Sequence, residues 1–110
     1  MITFINKIRT DFEKGTVNGP LLRKLYKKYN PSIRNLEEFV KEALHIFPNL
    51  NCGLTAVYLK HLLGGDIIKG KFKVHNHTFL VIKNLVVDIT ADQYGGPKVY
   101  VGPLTYPWAK

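Results

Sequence analysis

From Asn51 to Ile68 the chain reads NCGLTAVYLKHLLGGDII, and the period of its apolar residues changes inside that stretch. Before the glycines, Leu54, Val57, Tyr58, His61 and Leu62 keep one helical face, which predicts a helix from about Asn51-Cys52 to Leu63 with Gly64-Gly65 as its stop. After them the reading is of strands. Asp66 to Val74 is the first, Thr78 to Ile82 and Leu85 to Ile89 are joined by a tight turn at Lys83-Asn84, and Lys98 to Val101 follows Gly95-Gly96-Pro97. Upstream, Pro20 suits a first helical turn and Asn30-Pro31 ends a short amphipathic helix over about 20–29. Ser32 or Asn35 can cap another, in which Leu36, Phe39, Val40, Ala43, Leu44 and Phe47 recur at helical spacing until Pro48. Helices first and strands second predict an α+β fold, with N-terminal helices packed on a C-terminal antiparallel sheet of about four strands. The expected division is a single domain over 1–110, with a helical lobe at 1–49 and the Cys helix plus sheet at 50–110.

The bulk numbers fit that architecture. A length of 110 residues favours one domain, and 45% hydrophobic with 22% charged residues excludes long disorder. The lone cysteine cannot form an internal disulfide. No apolar run approaches the ~18 residues of a membrane span. Residues 1–9 place their charges after the short apolar stretch, opposite to a signal peptide, so a cytoplasmic protein with no membrane span is expected. The formal charge of +8 draws anionic partners. Arg23, Lys24, Lys27 and Lys28 cluster with Tyr26 and Tyr29, yet no nucleic-acid reading motif accompanies them. A protein or peptide substrate, acidic in character, is favoured over nucleic acid.

Three residues carry the chemistry. Cys52 opens the third predicted helix, where unpaired N–H groups and the helix dipole favour thiolate and can face an oxyanion. A two-residue turn at Lys83-Asn84 sets Ile82 opposite Leu85 and Phe79 opposite Asp88. His77 and Asp88 are then diagonal neighbours on one face, about 7–8 Å apart at the backbone, within reach of an imidazole–carboxylate bond. His75 points the same way but lies a full step further off, so His77 is the better base. Cys52 as nucleophile, His77 as base and Asp88 as its orienting group satisfy the logic of a triad. Asn51 and Asn49 are candidate side-chain oxyanion donors, while His75, Asp92 and Gln93 are candidates for the edge of the site.

Asn51-Cys52-Gly53 at a helix start, then a His strand, then an Asp strand, resembles the order of papain-like and transglutaminase-like thiol enzymes. More narrowly, Leu62-Leu63-Gly64-Gly65-Asp66-Ile67 and Val87-Asp88-Ile89-Thr90-Ala91-Asp92-Gln93-Tyr94 resemble segments of small bacterial YunG-like proteins. That resemblance covers roughly residues 50 to 95, and residues 1 to 49 carry no part of it. It implies a papain-like core and the same three catalytic residues, without assigning a substrate. One departure is the strand after the histidine, His77-Thr78-Phe79-Leu80, where the group has large aromatics.

The expected function is cysteine-dependent acyl transfer on an amide, as a peptidase, deamidase or transglutaminase-like enzyme needing no cofactor. Two rivals differ in class. One is a non-catalytic basic adaptor or inhibitor on the same fold, binding nucleic acid or an acidic protein. The other is a metal site built from His75, His77 and Asp88 or Asp92.

Overall fold

The computed structural model describes residues 1–110. Four helices precede the sheet: α1 (Ile2–Lys14), α2 (Gly19–Tyr29), α3 (Leu36–His45) and α4 (Cys52–Leu63). Helix α1 was not anticipated from the sequence, although Ile5, Ile8 and Phe12 already recur at helical spacing. All three are buried, and Gly15 ends the helix in the left-handed region at φ 69, its N–H returning to Asp11 and Phe12. Asn18 caps α2 by accepting from the Leu21 N–H at 3.1 Å. Helix α4 stops where both glycines take positive φ, 79 at Gly64 and 90 at Gly65.

The sheet is antiparallel and holds five strands: β1 (Asp66–Phe72), β2 (His75–Ile82), β3 (Leu85–Asp88), β4 (Tyr100–Pro103) and β5 (Trp108–Ala109), in the order β4-β3-β2-β1-β5. The β2–β3 turn behaves as its length requires. Lys83 and Asn84 both have positive φ (49 and 68), and Ile82 pairs with Leu85, Val81 with Val86 and Leu80 with Val87. Three expectations need correction. Strand β1 ends at Phe72, because Lys73 turns with φ 54, and β2 begins at His75 rather than Thr78. The fourth strand is Tyr100–Pro103 rather than Lys98–Val101. The count is five, because β5 returns to pair Trp108 with Phe72 and Ala109 with Lys71. A two-residue strand is too short to show a period, so its pairing is visible only in three dimensions.

The alternation of β2 and β3 divides the core in two. Leu80, Val87 and Ile89 face the helices, meeting Phe12, Leu22 and Leu54. Phe72, Phe79, Val86 and Trp108 form a second cluster on the other face, to which His77 and Asp88 belong by parity. No helix is long and apolar enough to cross a membrane.

Phe12 is fully buried, with its ring edge-on to Tyr58 and tilted against Phe47, each at 5.6 Å. Phe12→Ala should therefore lower unfolding free energy by about 3–5 kcal/mol, read as a shift of the denaturant midpoint at constant slope. A loss below about 1 kcal/mol would show that α1 is not integral to the core.

Candidate active site

Asp88 lies at the end of β3 with 2% of its surface exposed and four donors around it. Its Oδ1 accepts from the Thr90 N–H at 2.9 Å and the Thr90 hydroxyl at 3.3 Å. Its Oδ2 lies 2.7 Å from His77 Nε2 and accepts from the Trp108 indole N–H at 2.8 Å. The diagonal relation read from the hairpin thus closes into a hydrogen bond. With Nε2–H donating to Asp88, the Nδ1 edge of the ring is the one that remains; Nδ1 is buried and has no closed hydrogen bond.

Cys52, the first residue of α4, lines one cleft with that ring, and no hydrogen bond closes between the sulfur and Nδ1. No side chain caps the helix, so its first N–H groups lack side-chain acceptors. Burial pushes the thiol up, but the nearby His77 ring and Thr78 outweigh it, and the Cys52 pKa is lowered. Burial likewise opposes the imidazolium. The bond to Asp88 and the nearby thiol prevail, and His77 is raised to about 9. The two shifts both act in favour of the thiolate–imidazolium form over the neutral pair.

The other anticipated residues divide. Asn51 is fully buried, and its amide nitrogen donates to the carbonyls of Ala43 and Asn49, both at 2.7 Å. It occupies the N-cap position of α4 without a side-chain cap bond, and its amide nitrogen is spent on pinning α3 to α4 rather than free for an oxyanion. Asn49 is exposed and lines neither cleft beside the thiol. Asp92 is also not at the edge of the site. It receives both arms of the Arg9 guanidinium, at 2.7 and 2.9 Å. Arg9 donates further to the Ile89 carbonyl at 2.8 Å and lies over the Phe47 ring at 4.6 Å. Arg9, on the unanticipated α1, thereby anchors the 3₁₀ turn Ala91–Tyr94. That turn carries Gln93 and Tyr94 to the wall of a cleft that also contains Cys52. The Gln93 amide nitrogen is buried there without a partner.

Tyr94 stacks on His75 at 4.4 Å with planes 6° apart, and presents its ring edge-on to His77 at 5.5 Å. His75 is exposed and turned to this stack, so it borders the site without entering it. The Tyr94 hydroxyl is shifted upward by burial and by the charge of Cys52. Trp108 both packs its ring on Phe72 and Tyr100 and donates its indole N–H to Asp88. His61, expected on the apolar side of α4, is exposed. No three His, Cys, Asp or Glu side chains are grouped closely enough to hold a metal ion. Asp92 is engaged by Arg9 and His77 Nε2 by Asp88, so the metal set read from the sequence does not assemble.

The profile of the family described as YunG protein matches residues 22–105. The chain belongs to the YunG family. No curated protein and no solved structure matches it. The YunG match begins within α2 and runs past β4, so it takes in helical residues that the short motifs left aside. Cys52, His77, Asp88 and Gln93 all fall inside it, whereas Arg9 and Trp108 fall outside.

The lowered thiol predicts the pH dependence of alkylation. Wild-type Cys52 should react with iodoacetamide along a profile whose midpoint lies below the free-thiol value of about 8.5. His77→Ala removes the stabilising partner and leaves the burial, so its midpoint should move to about 8.5 or above. Superimposable profiles would show that the imidazole does not control the sulfur.

Proposed function

We propose that this YunG-family chain is a cysteine-dependent acyl-transfer enzyme acting on an amide, with a papain- or transglutaminase-like arrangement of its catalytic groups. The observation that supports it most is the buried His77–Asp88 bond, which leaves the second edge of the imidazole to the thiol at the start of α4.

The thiolate of Cys52 attacks the carbonyl carbon, forming a C–S bond and an oxyanion. Backbone N–H groups at the start of α4 and the unpartnered Gln93 amide, which shares a cleft with Cys52, are the candidate donors to that oxygen. His77, as imidazolium, gives its Nδ1 proton to the departing nitrogen as the C–N bond breaks. An incoming water or amine then loses a proton to His77 and attacks the thioester, and C–S cleavage restores the thiolate. Asp88 holds the ring in the required tautomer and stabilises its charged form. Trp108 and Thr90 hold Asp88 in turn. The lowered thiol and the raised imidazole define the working range: the rate should rise as Cys52 ionises and fall as His77 loses its proton near pH 9.

The test uses a p-nitrophenyl ester as acyl donor. A single acyl adduct on wild-type protein, seen by intact mass and absent from Cys52→Ala, is the expected result. Gln93→Ala should acylate about 10²-fold more slowly while iodoacetamide, whose displacement reaction builds no oxyanion, labels at the wild-type rate. Equal acylation of wild type and Cys52→Ala would remove the nucleophile from the proposal.

A non-catalytic reading retains one supporting observation: Arg23, Lys24 and Lys28 form no ion pair and leave α2 with an uncompensated basic face. It requires tight binding of an acidic partner that Cys52→Ala leaves intact.

A further inference from the structure

Two clefts meet at Cys52, and they differ in chemistry. One, of about 450 Å³, is walled by Tyr26, Tyr29, Phe39, Leu50, Gln93 and Tyr94. The other, of about 380 Å³, is formed by Lys69, Gly70, Asn76, His77 and Thr78. Cys52, Lys69 and Thr78 border both, whereas His77 borders only the second. In an acyl transfer the general acid must reach the departing nitrogen. The leaving group therefore occupies the polar His77 side, and the group bearing the carbonyl occupies the aromatic side. We infer that the aromatic cleft is the acyl subsite of the proposed reaction, taking an uncharged aromatic or large aliphatic group beside the scissile carbonyl; this rests on the acyl-transfer reading.

The walls of the cleft are built for such a group. The ring of Tyr26 stacks on Phe39 at 5.3 Å and leans on Tyr29 at 5.8 Å, joining α2 to α3 into one aromatic surface. That surface starts beside the nucleophile, because a Cβ at Gly53 would sit 3.5 Å from the Tyr26 ring. Leu50, 54% exposed, closes the outer rim. No acid lines the cleft, and its one cation, Lys69, lies over the Tyr29 ring at 5.4 Å. The volume is within the ~300–1,000 Å³ typical of small-ligand sites and suits one ring-sized group rather than an extended peptide. The opposite cleft adds Asn76, bonded by Lys71 at 2.6 Å, and His77 to the shared Lys69 and Thr78, so the departing group meets a polar wall.

The experiment measures second-order labelling of Cys52 by N-acetyl chloromethyl ketones of phenylalanine, alanine and aspartate, each corrected for its rate with glutathione. In each the thiolate displaces chloride, so C–S forms as C–Cl breaks, and the side chain lies on the acyl side of the carbonyl. Wild type should react at least tenfold faster with the phenylalanyl than with either the alanyl or the aspartyl reagent. Leu50→Asp should shrink the phenylalanyl-to-alanyl ratio severalfold; Leu50 has φ 65, which aspartate tolerates, so the substitution adds no backbone strain. Equal corrected rates, or a preference for aspartyl, would overturn the subsite. Iodoacetamide labelling of wild type and His77→Ala, run in parallel, scores the triad separately: identical profiles there would defeat the catalytic reading whatever the side-chain preference.

Discussion

Burying a carboxyl group is unfavourable unless its oxygens are satisfied, and the arrangement of this chain around Asp88 answers that requirement. Each Asp88 oxygen has two donors, supplied by β2, by the residues just after β3, and by β5. The C-terminal strand is thereby joined to β3 by an indole N–H and to the opposite edge strand, β4, by its ring stacking on Tyr100 at 3.8 Å. Were any donor removed, the remaining charge would stay in a dry environment, where an unpaired group is far more unfavourable than on a surface. The same network orients His77, so stability of the sheet and orientation of the imidazole have a common origin.

A second pin acts at a distance. Arg9 on α1 grips Asp92 with two hydrogen bonds and reaches the Ile89 carbonyl, in a setting where the guanidinium is buried and held against Phe47. A planar fork on a carboxylate fixes orientation as well as distance. Its effect is to set the 3₁₀ turn, and through that turn the places of Gln93 and Tyr94 around the thiol. The N-terminal helix thus bears on the site without contributing a side chain to it.

Where local rules act alone, the sequence was legible. The hairpin at Lys83-Asn84 follows from loop length, and with it the register that brings His77 to Asp88. The start of α4 at Cys52 and its end at Gly64-Gly65 follow from helical period and glycine geometry. What escaped reading depends on partners far apart in the chain. Asn51 looks like a helix cap from its neighbours, but its amide is drawn to Ala43 eight residues back. Arg9 and Asp92 are separated by 83 residues, and Trp108 and Asp88 by 20. Neither pairing leaves a local pattern, and β5 is too brief to have a period. Asn51 and Asp92 show why: a polar side chain near a reactive residue looks available until its distant partner is known.

The account stands on an imidazole held as a cation by Asp88 and the Cys52 thiolate. Its most direct measure is the titration of the His77 ring by NMR in the intact chain. The expected result is a pKa raised to about 9, with Nε2 protonated throughout, and a fall of that value in Cys52→Ala. A His77 that titrates near the ordinary 6.5 in both proteins would contradict the ion pair and the chemistry built upon it.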